Sequence, residues 1–171
     1  MNGEKIEIVD AVIYPTEEQV PNLFKNLGNE IEIVIFGGGT SVTEGLTPKK
    51  KRKYSVSLDI KNFRDFKINK ESLVLEAGTG FTGPELEKKL NSENLTLGHF
   101  PESFEHSTIG GWIATNAAGQ ESNRYGIYTK KHEEGSSKLS ESQKIERRSK
   151  QFINHANRRT FNLCWRPSNP L

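Results

Sequence analysis

The sequence has one cysteine among 171 residues and no apolar run approaching the ~18 to 20 residues that a membrane-crossing helix needs. Cys164 has no partner within the chain, so an internal disulfide is excluded. The four histidines are scattered and give no structural zinc spacing. The first ten residues include Glu4, Glu7 and Asp10 and lack the basic and apolar zones of a signal peptide. A soluble, cytoplasmic protein is expected. Its length suits one domain, or one domain with an appendage.

Charge and glycine are unevenly spread. Residues 1–128 carry 14 basic and 18 acidic side chains, net −4, whereas residues 129–171 carry 10 and 4, net +6. Fourteen of the 15 glycines precede residue 129. Two segments are therefore expected: a turn-rich globular part over 1–128 and a basic polar tail over 129–171. Between Thr129 and Lys150 almost nothing is apolar, which predicts disorder, because too little surface can be buried to offset chain entropy. Ile145, Phe152, Ile153 and Ala156 share one helical face and admit a short basic amphipathic helix.

Within the first segment, Ala11–Tyr14 reads as a strand and Thr16-Glu17-Glu18-Gln19 as a capping box opening a helix to about Leu27. Ile31–Phe36 is apolar on both faces, which predicts a strand buried on both sides. Tyr54–Leu58, Phe66–Ile68 and Leu73–Ala77 are further strands, and Gly83–Leu90 is a helix with Pro84 in its first turn. Gly98–Gly126 is rich in Gly, Ser, Thr and Asn. It predicts a ligand-facing loop system with a helical turn around Trp112–Ala118.

Three glycine-containing stretches bear on chemistry. The strand Ile31–Phe36 runs into Gly37-Gly38-Gly39-Thr40-Ser41, where unobstructed amides and two hydroxyls suit phosphate oxygens. No Gly-Lys-Ser/Thr follows, so this is not a Walker loop, and a tight turn requiring positive φ is the plainer alternative. Gly78-Thr79-Gly80-Phe81-Thr82-Gly83 is a literal G-x-G-x-x-G between strand and helix, with Glu102 some way downstream. Pro101 and the irregular loop before Glu102 argue against a dinucleotide fold there, which favours a strand-to-helix corner. In Pro101–Gly119, the side chains of Ser107, Thr108, Thr115 and Asn116 supply short polar groups. Gly110 and Gly111 let a flat ligand lie against main chain.

The ordered series Tyr14-Pro15-Thr16-Glu17-Glu18-Gln19-Val20, Gly37-Gly38-Gly39-Thr40-Ser41-Val42, Ser57-Leu58-Asp59, Glu76-Ala77-Gly78-Thr79-Gly80, Gly98-His99-Phe100-Pro101-Glu102-Ser103 and Ser107-Thr108-Ile109-Gly110-Gly111-Trp112 resembles the FAD-binding PCMH-type domain of the vanillyl-alcohol oxidase superfamily. Within it, the series is most similar to the group of alkyldihydroxyacetonephosphate synthases and glycolate oxidase flavoproteins, over about residues 10–128.

The resemblance implies an α+β fold of small mixed sheets flanked by helices. It also implies FAD held by Gly37, Gly38, Gly39, Thr40 and Ser41, with Pro101, Glu102, Ser103, His106, Ser107, Thr108, Gly110, Gly111, Thr115, Asn116, Ala117 and Ala118 lining its diphosphate and ring portions. Some relatives attach flavin through a histidine in the glycine loop. Gly39 and Thr40 stand there in this sequence, which implies non-covalent binding. In intact relatives the reactions implied are 2-hydroxy acid oxidation, or the alkyl exchange of ether-lipid synthesis.

Past Tyr125-Gly126 the resemblance ends. No further strands are expected in 129–171, nor is the substrate domain that carries the family's catalytic side chains. The expectation is an FAD-binding part truncated near residue 128, inactive alone, with an exposed sheet edge and a need for a separate polypeptide carrying the remainder.

Other groups have plainer readings. Pro48-Lys49-Lys50-Lys51-Arg52-Lys53 resembles a nuclear localisation signal, although a solvated loop accounts for it. His99 and His106 read as hydrogen-bonded structural groups rather than proton shuttles. Glu102 is either a cofactor hydroxyl ligand or a surface carboxylate, and Trp112 is a core residue. The alternative function is a non-catalytic protein whose lysine run and basic tail bind nucleic acid.

Overall fold

A computed structural model of the chain describes residues 8–49, 51–120, 159–162 and 164–165. The expected tail disorder and the amphipathic helix around Phe152 lie outside these residues.

A parallel sheet comes first. Strands β1 (Ala11–Ile13) and β2 (Ile31–Phe36) flank β3 (Tyr54–Asp59), and helix α1 (Gln19–Asn26) connects the two outer strands. The register Ile13↔Leu58↔Ile35 sets three apolar side chains on one face. Leu58 on that face joins Val20, Ile60 and Phe63 in a buried cluster, against which Leu23, Phe24 and Ile33 pack. The sequence expectation for β2 needs correcting. β2 is an edge strand, so only Val34 is buried and Ile35 is 46% exposed. Its two-sided apolar pattern says nothing of β3 inserting on one side only.

The capping box at α1 forms by half. The Gln19 side chain accepts from the Thr16 amide at 2.9 Å, but Glu18 occupies the N-cap and no side chain caps it. Main-chain bonds from Gln19 to Thr16 and from Val20 to Glu17 satisfy the first amides instead.

The second layer is antiparallel. β4 (Phe66–Asn69) pairs with β5 (Val74–Ala77), then α2 (Gly83–Asn91), β6 (Leu95–Thr96) and α3 (Ile109–Ala114) follow. Glu85 folds back to accept from the Thr82 amide and hydroxyl, each at 2.9 Å, starting α2 as a capping box should. The second core contains Leu75, Phe81, Leu86, Leu90, Ile109 and Trp112. Beneath α2, the buried Glu87 carboxylate accepts from the Thr96 hydroxyl and the Leu97 amide, fixing the approach to Gly98.

The tail departs from its sequence reading. Composition predicts no strand in residues 159–171, yet β7 (Arg159–Asn162) pairs antiparallel with β5, and β8 (Cys164–Trp165) with β6. β5 is consequently flanked by β4 and β7, so the unpaired edge expected there does not exist. Short strands that pair across some 80 residues leave little local pattern to recognise, which is why they escape a reading based on periodicity.

Candidate functional site

The site begins where β2 ends. The Ile60 amide donates to the Phe36 carbonyl at 3.1 Å, holding the strand end against β3, and the chain then turns through Gly37–Ser41. Gly37 and Gly38 lie directly on the His106–Thr108 segment. A Cβ added at Gly37 would overlap the Thr108 hydroxyl oxygen. One added at Gly38 would overlap the His106 carbonyl oxygen and fall 2.7 Å from its carbon and 2.8 Å from Ser107 Cα. Gly39 follows with φ +73°, in the region that favours glycine. Among the described residues, the amides of Gly39, Thr40 and Ser41 donate to no acceptor. Adjacent free amides of this kind form a concavity for anionic oxygens.

The facing segment is held from behind. Pro101 is buried, and the His106 and Ser107 amides both donate to the Ser103 carbonyl, at 3.0 and 2.8 Å. The Ser107 hydroxyl donates to the same carbonyl at 2.7 Å and accepts from Trp112 Nε1 at 2.6 Å. Its proton is therefore committed within the fold. Trp112 is 3% exposed, stacks with Phe104 and meets the His99 ring edge at 5.0 Å, so it is a core residue. Burial pulls the His99 pKa below its usual value, keeping the ring neutral at neutral pH.

The start of α3 is equally committed. The amides of Ile109, Gly110 and Trp112 donate to the carbonyls of Phe81, Thr79 and Thr108. Thr108 caps the helix by accepting from the Gly111 amide at 3.4 Å. Its hydroxyl proton has no acceptor among the described residues, and it points toward the glycine loop. The diphosphate-type donors of this site are thus the amides of residues 39–41 and the Thr108 hydroxyl. The α3 amides are not free.

The remaining predicted positions divide clearly. Gly110 is packed, since a Cβ there would come within 2.9 Å of Ile60 Cδ1 and 3.0 Å of Thr79 Cβ, whereas Gly111 is open apart from Thr108. Glu102 and His106 are exposed and Ser103 is half-buried. Thr115, Asn116 and Ala118 are exposed beyond the far end of α3, Ala117 is half-buried, and none bonds to residues 37–41 among the described residues. Two contributors escaped the sequence reading: Ile60, which fills the space beside Gly110, and Phe63, whose carbonyl accepts from Gly80. The Gly78–Gly83 stretch is the strand-to-helix corner preferred from sequence. Its main chain receives Ile109 and Gly110, and an antiparallel bridge joins Thr82 to Thr108.

Residues 9–131 match the family model described as FAD binding domain. The chain belongs to that family. An alkyldihydroxyacetonephosphate synthase of Caenorhabditis elegans is 35% identical over 128 residues, covering 72% of this chain and 21% of that protein. A D-lactate dehydrogenase of Archaeoglobus fulgidus is 27% identical over 118 residues, covering 68% and 26%. A solved structure of alkyldihydroxyacetonephosphate synthase superposes with TM-score 0.61 at 31% identity, over 68% of this chain and 22% of that one. The Physcomitrella patens BBE-like 1 structure, at 24% identity and TM-score 0.55, shares the fold. The chain thus spans about a fifth to a quarter of the curated relatives it matches. It carries the α+β, PCMH-type architecture of flavin oxidoreductases, with FAD as the family's cofactor. No helix among the described residues is long and apolar enough to cross a membrane.

Proposed function

We propose that the chain binds FAD non-covalently, with the diphosphate held between the Gly39–Ser41 amides and the Thr108 hydroxyl. The observation that carries this reading is the close approach of Gly37 and Gly38 to His106–Thr108, which sets free amides and a free hydroxyl proton beside each other. The residues present fit the cofactor: the donors match its anionic centre, and glycine lets main chain come close. No histidine stands in the glycine loop to form a flavin bond. Pro101, Ser103, Ser107 and Gly110 shape the cleft through packing, while Glu102, His106 and Gly111 face outward beside it. Thr115–Ala118 extend it toward the ring.

When bound, flavin supplies the electron chemistry. Oxidation of a 2-hydroxy acid or an alkyl exchange further requires groups that place a substrate against the ring. Residues 9–131 supply the nucleotide part, and we assign substrate placement to a region outside them, including one carried on a separate polypeptide.

Thr108→Val tests the assignment. The swap keeps the shape and removes one charge-assisted hydrogen bond, a loss of about 1.5–3 kcal/mol, or roughly 10- to 150-fold in FAD affinity. The readout is quenching of flavin fluorescence on titration. Unchanged affinity in a folded variant would exclude Thr108 from the diphosphate site.

A further inference from the structure

The basic run that follows the glycine loop serves none of the contacts above. Lys49, Lys51, Arg52 and Lys53 are exposed, in a connection without helix or strand between β2 and β3. Because β2 and β3 are parallel, this connection must return from the end of β2 to the start of β3. The run therefore lies beside the first residues of β2. Arg52 donates to the Asn29 carbonyl, Tyr54 to the Glu30 carbonyl at 3.0 Å, and Lys53 approaches Glu30 at 4.0 Å. Six residues of β2, roughly 17 Å at about 3.3 Å per residue, separate it from Gly37. It cannot assist the diphosphate site.

We propose that Pro48–Lys53 is a recognition peptide for the acidic groove of a nuclear import receptor. The flanks are anchored, with Pro48 buried and Tyr54 in β3, while the lysines project. The Lys49 and Lys51 side chains bond to no described residue. Residues 1–128 outside the run hold 9 basic and 18 acidic side chains, so its charge is a local feature on an acidic body. Nucleic-acid affinity grows with the number of phosphates neutralised and rewards a broad basic face. A single loop with Glu30 and Glu32 at its base does not provide one. A groove that reads a short segment, pairing carboxylates and aromatic faces with successive lysines, needs only what this loop presents.

The test is the full chain fused to a fluorescent reporter too large to diffuse through nuclear pores, expressed in cultured eukaryotic cells. The fusion is expected to concentrate in nuclei several-fold over the reporter alone. Lys49→Ala with Lys51→Ala should abolish the enrichment, and Lys51→Arg should retain it. FAD affinity of the purified double variant should be unchanged, which separates this proposal from the flavin reading. A wild-type fusion distributed like the reporter, or a double variant that still accumulates, would overturn it. So would retention of the wild-type chain on duplex DNA at physiological salt that the double variant loses, since that assigns the run to phosphate backbones.

Discussion

Alanine at Gly38 should weaken FAD binding on the order of 10- to 100-fold, because overpacking of about 1–3 kcal/mol is spent in moving apart the two segments that form the cleft. The obstacle is main chain: the His106 carbonyl, with its carbon 2.7 Å from the new Cβ, and Ser107 Cα at 2.8 Å. Neither can rotate away as a side-chain tip does. The Ser107 amide and hydroxyl are both tied to Ser103, which stiffens that wall further. Gly38→Glu adds an anion beside the diphosphate and should remove flavin absorbance from the purified chain altogether. Gly28→Ala is the control, since no atom lies within 4 Å of the added carbon. It should bind FAD as the wild type does. Equal affinity of the Gly38→Ala and Gly28→Ala variants would mean that contact between the two loops is irrelevant to the cofactor.

Phe63→Ala should remove most of the stability of the first layer. Phe63 is fully buried with Val20, Leu58 and Ile60, and truncating a buried phenylalanine costs about 3–5 kcal/mol. Whole domains are stable by only about 5–15 kcal/mol. The carbonyl of the same residue accepts from Gly80 and sits against Gly78, so a shift there also disturbs the corner that receives α3. Thermal unfolding should move down by at least about 12 °C, taking about 4 °C per kcal/mol for a domain near 100 residues. Excess FAD should recover part of the loss, because a ligand that binds only the folded form stabilises it. A shift of a degree or two would place Phe63 outside the cooperative core.

Local patterns revealed most of the described elements. β2, β3, β4 and α2 form within a residue or two of the expected bounds, because alternation and the Thr82–Glu85 capping box are short-range signals. The pairing of Gly37 and Gly38 with His106–Thr108 was legible only as six motifs in order, since no local rule relates residues 70 apart. Which groups still have free hydrogen-bonding capacity was not legible at all. Ser107 and Thr108 look alike in sequence, yet one hydroxyl is consumed by Ser103 and Trp112 while the other faces the glycine loop. The edge position of β2 and the pairing of β7 with β5 depend on strand order, which residue type does not encode.

Calorimetric titration of the purified full chain with FAD and, separately, with FMN tests the diphosphate cleft most directly. FMN shares the flavin ring but has a single phosphate. One equivalent of FAD should bind, and FMN should bind far more weakly. Equal affinity for the two, or no heat with FAD from a folded chain, would contradict the cleft between the glycine loop and Thr108.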